Sequence, residues 1–324
     1  MKKIVSFFGE RSDVFEELNR RAKEYAASRG FSYLWAPQQP FDTEKVAELL
    51  RQADCGIIDV DPYGEEMFQR IGPRPKLLVR FGVGYDKVDL AAATRHGIAV
   101  ARTTGANTQG VAELALAMIL ASRRRLRPFY WQVARGEWKK TVVHETVGST
   151  VGIVGFGAVG KTLASLLKGF GCTVLAYDPQ MKPDQASHLG VKLVSLDELL
   201  VKSDAISLHV PYNKQTHHLI NANALRQMKP SAVVVNTSRG NVIDEDALCD
   251  ALEQQIIAGA ALDVYGQEPL SIHSRLLEQE NVLLTPHIAS QTEESLWRIY
   301  QMAIDIAADF FTGKPCPHLL TPVF

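Results

Sequence analysis

A glycine-rich turn between a strand pattern and a helix pattern is the feature that most constrains this chain. The apolar run Val151–Val154 leads into Gly155-Phe156-Gly157-Ala158-Val159-Gly160, which has the spacing G-x-G-x-x-G. Residues 161–170 then show a helix pattern, and a second strand pattern ends at Tyr177-Asp178. Gly155 allows a tight turn, Gly157 lets backbone N–H groups approach a pyrophosphate, and Gly160 lets the helix pack closely on the strand. A structural glycine turn is the ordinary alternative, but this context favours a dinucleotide-binding βαβ unit.

An acidic residue follows the second strand at the spacing of a ribose ligand. Asp178 lies 18 residues beyond Gly160, where a carboxylate accepts hydrogen bonds from the adenosine ribose. A carboxylate there repels the 2′-phosphate of NADP, and no arginine follows it directly. The sequence therefore predicts NAD as the cofactor, with NADP as an alternative that Lys182 leaves open.

Strand and helix patterns alternate along the whole chain, which favours parallel sheets with helical crossovers. The first series of strand patterns comprises Ile4–Phe8, Phe31–Trp35, Gly56–Val60, Lys76–Arg80 and Ile98–Val100. The second comprises Val151–Val154, Thr173–Tyr177, Ala205–His209, Ala232–Asn236, Ala260–Val264 and Val282–Leu284. A helix pattern over Glu293–Phe311 follows. We predict an α/β protein with two doubly wound parallel-sheet domains, the second with six strands.

Three polar residues follow the last three strand patterns of the second series. In a sheet of order 3-2-1-4-5-6, ligands bind beyond the carboxyl ends of the strands, and strands 4 to 6 face the nicotinamide. Arg239, Glu268 and His287 follow strands 4, 5 and 6 respectively, so we expect them at one edge of the sheet. Singly, each is more simply explained as a surface, loop or packing residue. Their convergence beside a nucleotide-binding turn favours a catalytic site.

These three residue types suit hydride transfer to a 2-oxo acid. Arg239 has the fork geometry that binds a carboxylate and carbonyl. An imidazolium at His287 can protonate the developing alkoxide near neutral pH, and the neutral ring accepts the proton in the reverse direction. A buried carboxylate at Glu268 would orient this histidine and favour its charged form.

The composition argues against several other classes of protein. Lysine and arginine number 35 against 36 acidic residues, which leaves no global field for nucleic acid or an anionic membrane. No apolar stretch reaches 18 residues, and Ile4–Phe8 is too short for a secretory signal. The 4 cysteines are widely spaced and form no metal knuckle. We therefore expect a cytoplasmic protein with free thiols and no metal site.

The helix pattern over residues 107–125 is unusually apolar. From Val111 to Ala121, ten of eleven residues are apolar, with Glu113 the exception. A helix that is apolar on all sides is buried on all sides, which suggests a domain or subunit interface, although a central helix of one domain fits equally well. The basic run Arg123–Arg127 that follows indicates a solvated helix end rather than a nucleic-acid patch.

At these motifs the sequence resembles the D-isomer-specific 2-hydroxyacid dehydrogenases. Besides the turn at Gly155–Gly160, the resemblance is carried by Val235–Gly240, Ala261–Val264 with Glu268-Pro269, and Thr285–Ile288. It covers nearly the whole chain. It implies Arg239, Glu268 and His287 as the catalytic residues, in the roles given above.

The resemblance also implies further binding residues. Asp263 would hold the nicotinamide carboxamide, while Thr237 and His209-Val210-Pro211 would line the cofactor groove. For His209 we favour a packing role on the adenosine side. The segment Arg80–Asp86 resembles the substrate loop of the family, in which the backbone N–H groups of Val83 and Gly84 would bind the substrate carboxylate. A plain strand-to-helix turn is the alternative there.

The family organisation implies a Rossmann NAD-binding domain, residues 102–288, inserted into a flavodoxin-like substrate domain, residues 1–101 and 289–324. Two chain crossings would form a hinge, and closure would exclude water from the hydride path. The apolar helix over residues 107–121 would serve a homodimer interface.

Departures from the family pattern narrow the substrate. Phosphoglycerate dehydrogenases usually carry a basic residue after the third strand of the substrate domain, whereas this chain has Asp59 and Asp61, which repel a phosphate. We also expect no regulatory domain after residue 324. A phosphorylated substrate is therefore disfavoured, although Arg80 and Arg102 could compensate for the acidic pair. Glu268 argues against a formate dehydrogenase. We expect a small unphosphorylated 2-oxo acid such as glyoxylate, hydroxypyruvate or a D-lactate-type compound.

Two alternatives to this expectation remain. One is a phosphoglycerate dehydrogenase. The other is an NAD-sensing, corepressor-like binding protein, since such relatives can retain the catalytic residues. Corepressors of this type typically carry long disordered tails, and this sequence contains no low-complexity segment.

Overall fold

Strands and helices alternate along the chain and build two α/β units in the computed structural model, which describes residues 1–38, 40–182 and 184–322. The first unit holds Met1–Asn107 and Thr292–Phe324, and the second holds Thr108–Gln291. The family resemblance predicts the corresponding ends at residues 101 and 288. Residues 323 and 324, which the predicted substrate domain includes, lie outside the described residues.

The first unit begins with five strands and the helices between them. In chain order these elements are β1 Lys2–Ser6, α1 Asp13–Ser28, β2 Phe31–Trp35, α2 Thr43–Arg51, β3 Cys55–Ile58, α3 Glu65–Ile71, β4 Leu77–Arg80, α4 Leu90–Arg95 and β5 Ala99–Arg102.

The second unit contains the strands that follow the glycine-rich turn. Its elements are α5 Thr108–Arg123, α6 Leu126–Ala134, β6 Thr150–Val154, α7 Ala158–Leu167, β7 Thr173–Tyr177, α8 Asp184–Ser187, β8 Lys192–Leu193, α9 Leu196–Lys202, β9 Ala205–Leu208, α10 Ala222–Gln227, β10 Val233–Asn236, α11 Glu245–Glu253, β11 Gly259–Leu262 and β12 Val282–Leu284. Helix α12, Glu293–Phe311, then returns to the first unit and spans the predicted range.

The first unit is built on a parallel sheet of order β2-β1-β3-β4-β5. This is the flavodoxin-like order predicted from the family resemblance. Helix α1 packs on the sheet through Leu18, Ala22 and Ala26, which recur every four residues and so lie on one face. Helix α12 adds the buried side chains of Ile299 and Tyr300 to the same core.

The second unit is built on a parallel sheet of order β12-β11-β10-β9-β6-β7-β8 within the described residues. Read from β6, this is the doubly wound order, with one strand more than the six predicted. The addition is β8, whose two residues are too short to give a strand pattern and which pairs with β7 at the edge. Consequently β9, which we numbered as the third strand, lies between β6 and β10 at the centre of the sheet.

Helix α5 is the unusually apolar helix, and within this single chain only one of its faces is buried. One face, which includes Ala112, Ala115 and Ile119, packs into the core of the second unit. Glu113 and Ala117 are exposed on the other face. In this chain α5 is therefore a helix packed on one side of the sheet.

The basic run after α5 is not a fully solvated helix end as predicted. The buried guanidinium of Arg123 donates to the backbone carbonyls of Asp204, at 3.2 Å, and Glu145, at 2.6 Å. Arg127 donates to the backbone carbonyl of Gln279. The middle of the run, from Arg124 to Leu126, is exposed. These arginines connect the end of α5 to neighbouring loops because backbone carbonyls accept charged hydrogen bonds.

The described part of the chain contains neither a helix fit to span a membrane nor a cluster of side chains fit to hold a metal ion. No helix found there combines the length and the apolar character needed to cross a membrane. Among the same residues, no three histidines, cysteines or acidic residues gather in a group that could hold a metal ion.

Candidate active site

The glycine-rich turn connects β6 to α7 and depends on two glycines for its shape. Gly155 has a φ of +93°, and a Cβ there would lie 2.6 Å from the backbone oxygen of His209. A Cβ on Gly160 would lie 2.4 Å from the backbone oxygen of Gly155. Both positions exclude a side chain, because the atoms that block them belong to the backbone. The turn therefore brings α7 close to β6, as the motif predicts.

The middle of the turn fits a bound dinucleotide. A Cβ on Gly157 would meet no atom of the described residues within 4 Å, so this glycine faces open space. Phe156 precedes Gly157, and Ala158 and Val159 open α7, whose first N–H groups have no partner within the helix. Uncovered amides at a helix N-terminus suit a pyrophosphate. The residues present therefore fit the predicted cofactor.

Asp178 directly follows β7 and is hydrogen-bonded to the turn. Its Oδ2 accepts the N–H of Phe156 at 2.9 Å, and its Oδ1 accepts the N–H of Gln180 at 3.0 Å. The carboxylate thus lies next to the phosphate-binding turn, where the sequence predicts it. Its role as a ribose ligand stays a prediction.

His209 follows β9 at the centre of the sheet, which changes the prediction for this residue. Because β9 neighbours β6 and β10, His209-Val210-Pro211 lies where the strand order reverses, and not at the adenosine edge. The imidazole Nε2 lies 2.9 Å from Ser207 Oγ. Burial lowers the pKa of His209 to about 4, so the ring is neutral at physiological pH.

Asn236 shapes the loop that carries Arg239. Its side-chain amide donates to the backbone carbonyl of Arg239 at 2.9 Å. Its Oδ1 accepts the N–H and the hydroxyl of Ser238, at 3.0 Å and 2.8 Å. The loop after β10 is therefore folded back on a buried asparagine. Thr237 in the same loop has a buried hydroxyl without a hydrogen-bond partner among the described residues, as expected of a group that binds a ligand.

Gly240 brings the loop after β10 against the loop after β11. A Cβ on Gly240 would lie 1.8 Å from the carbonyl carbon of Tyr265 and 2.3 Å from the nitrogen of Gly266. Any side chain would collide with this backbone. The nitrogen of Gly266 in turn donates to Glu245 Oε1 at 2.5 Å. Close contact between these loops brings Arg239 and Glu268 to one edge of the sheet.

Glu268 and His287 form a hydrogen-bonded pair. Glu268 Oε2 lies 2.8 Å from His287 Nδ1, and Glu268 Oε1 accepts the N–H of Tyr265 at 3.1 Å. The side chain of Glu268 is 37% exposed, so it is not the buried carboxylate that the sequence suggested. Burial acts to raise the pKa of Glu268, but the hydrogen bond and charge of His287, the Tyr265 N–H and the charge of Arg239 outweigh it, so this pKa is lowered.

Asp263 holds the turn that carries His287. Its fully buried carboxylate accepts the hydroxyl of Thr285 at 2.6 Å and the N–H groups of Ile288 and Ala289 at 2.8 Å and 2.9 Å. His287 has a φ of +54°, a left-handed conformation that residues other than glycine rarely adopt. The contacts of Asp263 therefore stabilise a strained turn. Its predicted contact with the nicotinamide carboxamide remains a prediction.

The predicted substrate loop belongs to the first unit and follows β4. Gly82 has a φ of +120°, and its N–H donates to the hydroxyl of Thr103 at 2.8 Å. The N–H groups of Val83 and Gly84 donate to no acceptor within the described ranges. The guanidinium of Arg102 lies 3.5 Å from the carbonyl of Val83 and 5.3 Å from the centre of the Tyr85 ring. The loop thus offers two consecutive amides to a ligand.

The structure brings Arg239, Glu268 and His287 together within the second unit, since the pair is hydrogen-bonded and the charge of Arg239 acts on Glu268. Sequence reasoning missed Asn236 and Tyr265, which hold the loops in place. Asn236 had a signal, since asparagine at the end of a buried strand commonly bonds to the following turn. For Tyr265 the motif gave no distinguishing signal.

A doubly wound domain with a glycine-rich turn and a paired Glu–His beside an arginine defines a dinucleotide-dependent oxidoreductase. Residues 116–289 match the model of the family described as D-isomer specific 2-hydroxyacid dehydrogenase, NAD binding domain. The chain belongs to the D-isomer-specific 2-hydroxyacid dehydrogenase family. It is an NAD-dependent enzyme that acts on CH–OH donors.

Curated relatives and solved structures agree with this assignment. The chain is 38% identical over 294 residues to a glyoxylate reductase of Korarchaeum cryptofilum (strain OPF8), covering 89% of this chain and 88% of that protein. It is 43% identical over 279 residues to a D-3-phosphoglycerate dehydrogenase of Synechocystis, covering 81% of this chain and 50% of that protein. The D-lactate dehydrogenase of Escherichia coli in its apo form has a TM-score of 0.85 and 32% identity, covering 99% of this chain and 100% of the other.

Proposed function

We propose that this enzyme uses NADH to reduce small, unphosphorylated 2-oxo acids of the glyoxylate, hydroxypyruvate or D-lactate type. The observation that carries the proposal is the 2.8 Å contact between Glu268 Oε2 and His287 Nδ1, beside the strand end that bears Arg239. A carboxylate-oriented imidazole can donate a proton through its free Nε2 while the guanidinium binds anionic and carbonyl oxygens.

In this proposal each residue has one role. Bound NADH supplies the hydride. Arg239 binds the substrate carboxylate and polarises its carbonyl, so negative charge developing on the oxygen is stabilised. His287 gives its proton to that oxygen, and Glu268 orients the ring through Nδ1 and balances the imidazolium charge. In the oxidation direction the neutral His287 accepts the hydroxyl proton.

Further residues are assigned to cofactor and substrate. The turn Gly155–Gly160 would hold the pyrophosphate and Asp178 the ribose, with NAD preferred over NADP because a carboxylate repels a 2′-phosphate. The cofactor groove would be lined by His209-Val210-Pro211, Thr237 and Asp263. The buried hydroxyl of Thr237, which has no hydrogen-bond partner among the described residues, supports this assignment for Thr237. The unbonded amides of Val83 and Gly84 support their assignment to the substrate carboxylate.

Phosphoglycerate oxidation is the second candidate, favoured by the 43% identity to the Synechocystis enzyme. The acidic residues Asp59 and Asp61, which follow β3, argue against a phosphorylated substrate. Burial and the nearby charge of Asp59 raise the pKa of Asp61, although Lys87 and Arg80 act in the opposite direction. Two neighbouring carboxylates at this edge of the first sheet disfavour a phosphate. The third candidate, an NAD-sensing binding protein, would show no turnover.

A homodimer belongs to the same proposal, and the surface of α6 supports it. Within the part of the chain that the structure describes, α6 contains no buried residue. Tyr130 and Val133 are 66% and 61% exposed, although both are large and apolar. The start of the helix also borders a cavity of about 300 Å³ lined by Leu126 and Leu283, among others. Several large apolar side chains exposed on one helix are typical of subunit contacts.

A cytoplasmic location completes the proposal. The structure leaves Cys55, Cys172, Cys249 and Cys316 as free thiols. Free thiols are typical of a reducing compartment.

A steady-state screen tests the proposed substrate class. Purified enzyme would be assayed with glyoxylate, hydroxypyruvate, pyruvate and 3-phosphohydroxypyruvate, each with NADH and with NADPH. We expect kcat/KM to be highest for an unphosphorylated acid with NADH. A preference for 3-phosphohydroxypyruvate would support the second candidate, and no turnover of any acid would support the binding protein.

A further inference from the structure

Tyr265 is in contact with all three loops that carry the proposed catalytic residues. Its backbone lies against Gly240, next to Arg239. Its N–H donates to Glu268 Oε1 at 3.1 Å. Its hydroxyl donates to the backbone carbonyl of Thr285 at 2.8 Å, two residues before His287, and the carbonyl of Leu262 is a more distant acceptor at 3.2 Å. The residue is only 8% exposed, so its contacts are largely shielded from water.

The Thr285 carbonyl links this hydroxyl to His287. The same oxygen accepts the N–H of His287 at 3.0 Å, which closes the turn on which the imidazole stands. His287 adopts a φ of +54° in that turn. A left-handed conformation outside glycine persists only when surrounding contacts impose it. Asp263 bonds the hydroxyl of Thr285 and the residues after His287, whereas Tyr265 bonds the carbonyl before it.

We propose that the Tyr265 hydroxyl is a positioning group for hydride transfer, because it fixes the Thr285 carbonyl and thereby keeps His287 turned toward Glu268. This inference rests on the proposed acid–base role of His287. In this assignment Tyr265 acts through the turn and does not contact the reacting atoms.

Two properties suit the hydroxyl to this task. Burial, followed by the charge of Asp263, raises the pKa of Tyr265 to about 12, so the phenol stays a hydrogen-bond donor throughout the working pH range. The aromatic ring is packed in the core of the second unit, which restricts the position of the oxygen. A donor held in this way can fix an acceptor at low entropic cost.

Tyr265→Phe removes only the oxygen and tests the proposal. We expect kcat for the preferred 2-oxo acid to fall about tenfold, because a small misplacement of an acid–base group is costly. The Kd of NADH, measured by fluorescence titration, should stay within about twofold. The primary isotope effect with 4-deuterated NADH should increase, since the chemical step becomes slower relative to product release.

Tyr33→Phe is the matched control. Tyr33 is also buried, and its hydroxyl donates to Asn19 Oδ1 at 2.6 Å in the first unit. Each substitution removes one buried hydrogen bond, so both variants should show a lower Tm. Only Tyr265→Phe should show a lower kcat. A kcat for Tyr265→Phe within twofold of the wild type, or an equal decrease in both variants, would overturn the proposal.

A second measurement does not depend on turnover. In ¹⁵N-histidine-labelled protein, the Nδ1 proton shared with Glu268 should give a downfield resonance that disappears in His287→Ala. We expect this resonance to broaden or move upfield in Tyr265→Phe and to stay unchanged in Tyr33→Phe. An unchanged resonance in Tyr265→Phe contradicts the positioning role, even if the wild type reduces none of the tested acids and the proposed function itself fails.

Discussion

Glu268 and His287 are paired although neither side chain is buried. Their exposed fractions are 37% and 40%, and an ion pair at that exposure contributes little to folding free energy. The left-handed backbone of His287 even costs on the order of 1 kcal/mol. The arrangement thus stabilises the fold poorly, which agrees with its proposed role in proton transfer.

His287→Asn separates these two effects. Asparagine tolerates the left-handed conformation better than histidine, so we expect an unchanged or slightly higher Tm. Loss of the general acid should lower kcat by roughly 10²- to 10⁴-fold, while the Kd of NADH stays within about twofold. Steady-state kinetics, differential scanning calorimetry and fluorescence titration measure the three quantities.

The exposed His273 provides a control on the surface, since His273→Asn should leave kcat, the Kd of NADH and Tm unchanged. If His287→Asn retained more than a third of the wild-type kcat, the assigned proton donor would be wrong.

His209 predicts a pH dependence of stability. Its pKa is lowered by burial from the ordinary 6.5 to about 4 in the folded protein, so the unfolded chain binds a proton that the folded chain does not. The unfolding free energy should therefore fall as the pH decreases below 6.5, by on the order of 2 kcal/mol between pH 7 and pH 4.5.

Urea denaturation at several pH values measures this effect. As the pH falls, the wild type should lose more unfolding free energy than His209→Gln, which lacks the titrating ring. His273→Gln should lose as much as the wild type. Parallel curves for wild type and His209→Gln would show that burial does not keep this ring neutral.

At the scale of elements, the strand ends could be predicted from the sequence because buried parallel strands give continuous apolar runs. The same logic placed Arg239, Glu268 and His287 at one edge, and the paired Glu268 and His287 lie there. Strand β8 could not be predicted, because its two residues are too few to show the apolar run or the alternation that indicates a strand. Because β8 was missed, β9 was numbered as the third strand, which placed His209 at the edge of the sheet and not at its centre.

Long-range contacts could not be predicted from the sequence patterns either. Arg123 is part of a basic run in the sequence, yet its partners are the carbonyls of residues 145 and 204. Tyr265 bonds a carbonyl 20 residues further along the chain. Contacts of this kind depend on which loops meet at the sheet edge, and periodicity carries no information about that.

The glycine-rich turn gives a prediction that compares two glycines of one element. Gly160→Ala puts a Cβ 2.4 Å from the Gly155 oxygen and should destabilise the fold by at least about 2 kcal/mol. Gly157→Ala puts its Cβ in open space, so stability should change by less than about 0.5 kcal/mol. The latter variant should nonetheless raise the Kd of NADH by more than about tenfold, because the methyl group occupies space offered to the pyrophosphate.

Chemical denaturation and fluorescence titration distinguish the two glycines. Tight NADH binding by a stable Gly157→Ala protein would show that the pyrophosphate lies elsewhere.

At the scale of the whole molecule, the exposed face of α6 predicts the oligomeric state. Trp131 is 42% exposed and stacks edge-on against Tyr130, with ring centres 5.4 Å apart. We expect Trp131→Glu to convert a dimer into a monomer, because a charge in an apolar interface loses its hydration. Sedimentation velocity at micromolar concentration measures the change.

The control for this experiment is Val201→Glu on α9. Val201 is 53% exposed and far from α6 in sequence, so its replacement should leave the dimer intact. A wild-type chain that sediments as a monomer would refute the proposed dimer.

Helix α12 contributes to the core of a unit whose other elements all precede residue 108. Tyr300 on this helix accepts a hydrogen bond from Asn19 at 3.0 Å, across 281 positions of the chain. During translation, the part of this core that α12 covers therefore stays uncovered until Tyr300 has been made. At 5–20 residues per second, roughly 14 to 56 seconds separate the synthesis of Asn19 from that of Tyr300, 281 positions later. The apolar surface that α12 covers is thus open to aggregation during this interval.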